Sequence, residues 1–174
     1  PDQFNRIGRE VQLDLLERAF FDYNKALNRK KGSATNDEYG NIPKNIKEKI
    51  DIFSKEAELT ISGAGLVSLP ADLYRVILLS RLSRSINLEE LNKSEYTYIN
   101  SSKLTAPSGT YPVYYRDSTG IKVSPISLAN SVITLDYIKV PADPFWAYNV
   151  SAGNGSYAYN SGASIDFDLH IADE

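Results

Sequence analysis

The sequence predicts an α+β fold, in which an N-terminal helical part packs with a mostly antiparallel β part. Three observations carry that prediction. Apolar residues recur in steps of three and four from Phe4 to Leu27, apolar and polar residues alternate in later stretches, and Gly, Pro, Ser and Asn punctuate the second half closely. At 174 residues the chain accommodates one compact domain, read as a mainly helical part over 1–100 with two or three strands and a β-rich part over 101–174.

Asp2 is placed to cap the first helix, and Phe4, Ile7, Val11, Leu15, Leu16, Ala19, Phe20, Tyr23, Ala26 and Leu27 line one face of it over roughly seven turns. Arg29-Lys30-Lys31 and Gly32 suit its C-terminus, and Gly32 to Asn41 reads as a polar loop. That basic run is expected to be a solvated helix end and not a DNA patch. Pro43 suits the first turn of a second, shorter helix, whose stripe of Ile46, Ile50 and Phe53 is expected to pack on the first.

From Lys55 the period becomes two, with Ala57, Leu59 and Ile61 alternating against Glu56, Glu58 and Thr60, as in a half-buried strand. Gly63-Ala64-Gly65 turns the chain, Leu66 to Leu69 can pair as a second strand, and Leu69-Pro70-Ala71-Asp72 turns it again before a buried strand over Leu73 to Leu79. Asn87-Leu88-Glu89-Glu90 has the form of a capping box, so a further helix is expected from Asn87 to near Tyr96. Later strands are expected at Val113 to Arg116, Ile121 to Ser124, Val132 to Val140, Ala147 to Val150 and Ile165 to Ile171.

Composition bounds the function. The chain is 42% hydrophobic and 24% charged, its longest apolar runs fall far short of the ~20 residues that cross a bilayer, and neither a membrane span nor a retained signal peptide is expected. There is no Cys, which excludes thiolate metal sites and disulfides. Residues 1–100 hold 15 basic and 15 acidic residues, and residues 101–174 hold 4 and 7, which gives the net charge of -3. A protein that grips phosphates ordinarily carries a basic excess, so stable nucleic-acid binding is not expected.

Chemistry finds little purchase. Asp166, Asp168 and His170 fall at alternate positions of the last expected strand and form the best metal or carboxylate-pair candidate, with Asp136 a possible fourth member if its strand is a neighbour. A solvated strand face explains the same pattern, and two-residue spacing along one strand supplies no cleft for glycoside hydrolysis. His170 is the only His and no Gly-x-Ser-x-Gly elbow occurs. Gly63-Ala64-Gly65 is a fragment of a dinucleotide fingerprint that a tight turn accounts for. Asn-x-Ser triplets begin at Asn92, Asn100, Asn149 and Asn154, in a stretch so rich in both residue types that chance explains them. The sequence thus predicts no catalytic, cofactor-binding or metal residue.

Aromatic residues are the remaining signal, with 9 of the 12 Tyr lying from Tyr96 onward. Half of these later aromatics are expected inside the β part, while Tyr157 and Tyr159, in a Gly/Ser/Asn-rich stretch, are the best placed to meet a partner. The candidate interface residues are Phe4, Phe20, Tyr23, Tyr114, Tyr115, Trp146, Tyr148, Tyr157 and Tyr159.

Several segments together resemble the head–tail connector and ring proteins of short-tailed, crAss-like bacteriophages. They are Asp2-Gln3-Phe4-Asn5 opening a helix that ends in Phe20-Phe21-Asp22-Tyr23-Asn24, then Leu69-Pro70-Ala71-Asp72-Leu73-Tyr74-Arg75-Val76, Pro112-Val113-Tyr114-Tyr115 and Ile121-Lys122-Val123-Ser124-Pro125. Leu135-Asp136-Tyr137-Ile138-Lys139-Val140-Pro141, Pro144-Phe145-Trp146 and Asp166-Phe167-Asp168-Leu169-His170 complete the set. The resemblance covers nearly the whole length and rests on framework patterns. It implies a non-enzymatic adaptor without cofactors, in a homo-oligomeric, commonly twelve-fold ring beneath a portal protein and beside other connector or tail proteins, through which DNA passes without specific binding. It also implies a place in the neck of the virion, and in the host cytoplasm during assembly. A carbohydrate-binding or adhesin-type module is the alternative that the Tyr- and Trp-rich second half supports, and the long first helix counts against it.

Overall fold

The spacing from Phe4 to Leu27 folds as one helix, α1 (Asp2–Asn28), which already includes the residue expected to cap it. The computed structural model describes residues 2–28, 42–81, 84–150 and 155–166. The basic run at 29–31 and the loop expected to follow it lie outside them. α2 (Ile42–Asp51) has Pro43 in its first turn and packs on α1, as its single apolar stripe requires. Ile50 and Phe53 are buried beside it, and the Phe53 N–H donates to the Ile50 carbonyl at 3.0 Å to close the turn.

The apolar face expected of α1 is buried only in part. Gly8, Gln12 and Leu16 are buried and Asn5, Ala19, Phe20, Tyr23 and Ala26 half-buried, whereas Phe4, Ile7, Val11 and Leu15 face outward. Over its first half a chain segment runs along the side of Asn5 and Gln12, which leaves Phe4, Ile7 and Val11 outward.

The remaining elements begin with β1 (Ser54–Thr60), β2 (Leu66–Val67), β3 (Leu73–Arg81), β4 (Ile86–Asn87), β5 (Glu89–Glu90) and α3 (Lys93–Ser101). They continue with β6 (Val113–Asp117), β7 (Gly120–Ser124), a 3-10 turn at Ile126–Leu128, β8 (Val132–Lys139), β9 (Tyr148–Val150) and β10 (Tyr157–Tyr159). One sheet orders β1-β8-β3-β4 and a second β2-β7-β6-β5, with β5·β6 the parallel pair among otherwise antiparallel ones. The architecture is α+β, as predicted.

Register follows the alternation. Ala57 lies opposite Leu135 and Leu59 opposite Ile133, so the apolar set of β1 enters the core while Glu56, Glu58 and Thr60 stay exposed. Ile61, Leu79, Ile133, Leu135 and Tyr137 meet Val67, Tyr114, Ile121 and Val123 of the second sheet in one cluster. Each contributes about 1.5–3 kcal/mol through burial. Burial pushes the Tyr114 phenol well above its ordinary range, and the Glu90 carboxylate that accepts its hydrogen bond at 3.3 Å adds to the effect.

Two glycines make the second sheet possible. Gly65 has φ +75 in the turn after β1, and its carbonyl accepts from the Val123 N–H at 2.8 Å. Gly120, with φ +141, brings β7 so close to β2 that a Cβ there would lie 2.4 Å from the Val67 carbonyl oxygen.

The helix expected from Asn87 begins instead at Lys93, with Asn92 as its cap. Asn92-Lys93-Ser94-Glu95 repeats the Asn-x-x-Glu pattern five residues on, and the Glu95 carboxylate accepts from the Asn92 N–H at 3.0 Å. The earlier copy is pre-empted because the Leu88 N–H donates to Leu79 at 2.9 Å and the Glu89 N–H to Pro112 at 3.1 Å, which holds 86–90 extended. Between the strands expected at Ala147 to Val150 and Ile165 to Ile171, the Gly/Ser/Asn-rich stretch contains β10, paired with β9. Of the strand expected at Ile165 to Ile171, Ile165 bridges Phe145 and residues 167–171 lie outside the described residues.

The chain divides into two compact units, Pro1–Phe53 with Val140–Glu174, and Ser54–Lys139. The change of composition near residue 100, expected to part the helical from the β-rich half, falls inside the second unit. β1 pairs with β8 across more than 70 residues of chain, and that long-range pairing decides the boundary.

Candidate interaction surface

In the first unit, three side chains of α1 stitch residues 142–146 along the helix. The Gln12 carboxamide donates to the Ala142 carbonyl at 3.2 Å, Arg9 pairs with Asp143 at 3.1 Å, and Asn5 accepts from the Trp146 N–H at 2.7 Å while donating to its carbonyl at 3.4 Å. Positions 5, 9 and 12 share one helix face, so the segment runs antiparallel to α1. Because Asn5 holds the backbone of Trp146, the indole is delivered to Phe4 with ring centroids 6.4 Å apart at 73°.

The contacts continue outward. Trp146 and Tyr148 are 6.1 Å apart at 39°, and Tyr148 and Tyr157 are 5.1 Å apart at 73°. Tyr148 lies opposite Tyr159 and Val150 opposite Tyr157 in the β9·β10 pair, so all four project from one face of the ribbon, and Asn149 and Ala158 from the other. Val150, Tyr157 and Tyr159 are 57%, 65% and 61% exposed. At the other end, Phe4 begins the outward stripe of Ile7, Val11 and Leu15 on α1. An apolar surface therefore runs from the helix through Trp146 to the ribbon.

The structure brings Phe4, Trp146, Tyr148, Tyr157 and Tyr159 of the predicted interface into that surface. Phe20 and Tyr23 are half-buried on α1. Tyr114 and Tyr115 are buried in the second unit, where Tyr115 packs edge-on against Tyr96 at 4.5 Å, and they serve its core and not an interface. Tyr98 and Tyr111 are largely exposed, so fewer of the later aromatics are buried than the expected half. Asn5, Ile7, Val11 and Leu15 join that surface without being among the candidate interface residues of the sequence. The apolar spacing of the last three was visible, but only the fold shows which side of the helix is left uncovered.

The second unit carries a charged groove of about 530 Å³ lined by Glu56, Glu58, Arg81, Arg84, Ser131, Val132 and Thr134. Arg84, at φ 69, donates to Glu56 and Asp136 at 2.7 Å each, which ties the turn after β3 to β1 and β8. Asp136 is thus committed to an ion pair. Asp166 is exposed, and Asp168 and His170 lie outside the described residues. Among the described residues no group of three His, Cys, Asp or Glu is placed to hold a metal, and no helix is long and apolar enough to cross a membrane. No protein-family model matches the chain, and no curated protein matches it.

Proposed function

We propose that the chain is a structural subunit of a phage virion, one of the copies that form a ring in the head–tail connector below the portal. The observation that carries this reading is the apolar surface from Leu15 of α1 through Trp146 to Tyr159. Exposed apolar patches larger than a few hundred Å² ordinarily mark assembly sites. The resemblance of the framework segments to connector proteins supplies the kind of assembly. The net charge of -3 suits the wall of a passage that DNA traverses without being held. In this reading the chain is no enzyme and takes no cofactor. Its neighbours are copies of itself, the portal and other connector or tail proteins, and it waits in the host cytoplasm until assembly.

The alternative is a carbohydrate-binding or adhesin-type module that uses the same rings. Sugars stack on flat aromatic faces, and the angles of 73°, 39° and 73° along Phe4, Trp146, Tyr148 and Tyr157 turn successive rings across one another. That arrangement favours a protein partner.

Electron microscopy of intact particles labelled with antibody to this chain tests the proposal. Label concentrated at the neck is the expected result, and particles free of label overturn it.

A further inference from the structure

The outward stripe of α1 has a symmetry that its composition alone does not suggest. Counted from Val11, Ile7 and Leu15 stand four residues to either side, and Phe4 and Arg18 seven. All five lie on one outward strip of the helix, and all five are exposed. A two-fold axis at Val11 would set a second copy antiparallel, with Val11 on Val11, Ile7 on Leu15, and the Arg18 guanidinium over Phe4. Phe4 is 51% exposed, so its ring is open to a cation. An isologous contact requires such self-complementarity.

The area is sufficient. Phe4, Ile7, Val11, Leu15, Trp146, Val150, Tyr157 and Tyr159 are each between 37% and 65% exposed. At the size of such side chains the stripe with Trp146 presents roughly 450 Å², and the ribbon face raises this to roughly 800 Å², the share each partner gives to a stable interface. Asp14 borders the strip seven residues on from Ile7 and Arg18 ends it, and between Phe4 and Leu15 the strip itself is apolar, as in contacts between identical chains.

We propose that this surface pairs two copies of the chain, antiparallel about Val11. The pairing goes beyond the virion reading, because a two-fold contact closes on itself and builds a dimer of unassembled chains, not a ring.

The chain contains no Cys, so single-Cys variants report proximity without background. Under mild oxidation Val11→Cys is expected to form a disulfide-linked dimer, and a mixture of Phe4→Cys with Arg18→Cys a cross-linked pair. Phe4→Cys alone and Glu17→Cys are expected to stay single. Light scattering is expected to give twice the subunit mass for the unmodified chain and the single mass for Val11→Glu, with an unchanged circular-dichroism spectrum. A monomer at ~100 µM, or Phe4→Cys cross-linking to itself as readily as Val11→Cys, overturns the proposal. Rings that form without the Val11 cross-link also overturn it and leave the connector reading standing, whereas cross-linked dimers with unlabelled particles uphold the pairing and sink the connector.

Discussion

The side chain of Asn5 pairs with both backbone groups of Trp146, accepting from its N–H at 2.7 Å and donating to its carbonyl at 3.4 Å, across 141 positions of sequence. One side chain thus does for a helix and a loop what a ladder does for two strands, and everything outward of it depends on where Trp146 stands.

Asn5→Ala removes both bonds and is expected to lower stability by about 1–2 kcal/mol. Trp146 is the only Trp, so its fluorescence during urea unfolding reads this site directly, and the variant should show an earlier midpoint and a shifted native emission. An unchanged midpoint would mean that packing holds the segment without Asn5.

Gln12 is buried, and its carbonyl oxygen has no hydrogen-bond partner among the described residues while its amide serves Ala142. Gln12→Glu places a carboxylate against that carbonyl and is expected to cost about 2–4 kcal/mol, whereas Gln12→Met is expected to stay within about 1 kcal/mol of the parent. Denaturant midpoints of the two variants check the order, and equal losses would contradict it.

Gly120→Ala is expected to destabilise the second unit by about 2–4 kcal/mol, because it combines a conformation reserved for glycine with a clash against Val67. Gly63→Ala serves as the control, since nothing lies within 4 Å of its Cβ position, and should be neutral within about 0.5 kcal/mol. Thermal unfolding of both separates backbone strain from a general intolerance of substitution.

Acid and alkali should find the same triad. The Lys55 ammonium donates to Asp72 at 2.8 Å and the Tyr137 hydroxyl donates to it at 2.9 Å. The Lys55 hydrogen bond holds the Asp72 carboxyl below its ordinary 3.8, so its contribution is complete above that value and is lost as pH falls through the lower folded value. Its bond to Asp72 raises Lys55 above 10.5 and burial raises Tyr137 above 10.0, so their contributions hold below those values and are lost as pH rises beyond them. Asp72→Asn should flatten the acid limb and the Lys55 share of the alkaline limb while leaving the share that burial of Tyr137 produces, and a variant as sensitive to acid as the parent would contradict the assignment.

Period was the legible part of the sequence. Three-and-four spacing located α1, strict alternation placed Ala57 and Leu59 inward, and the turns at Gly65 and Pro70 fell where their chemistry required. What was not legible depended on distant partners. Two Asn-x-x-Glu boxes stand five residues apart, and only the bonds from Leu88 and Glu89 to Leu79 and Pro112 decide between them. The apolar face of α1 was visible, but its exposure was not, since that follows from Asn5, Arg9 and Gln12 drawing 142–146 onto the neighbouring face. Tyr114 and Tyr115 resembled surface aromatics by composition, yet β6 is central in its sheet and buries both.

The connector assignment is tested most directly by solution mass from light scattering, with negative-stain images of the same peak, for the chain alone and after mixing with extract of the particles that contain it. The account predicts dimers for the chain alone and closed rings, seated on a portal, in the mixture. A single species with no ring in either sample would contradict it and turn attention to binding on a glycan array.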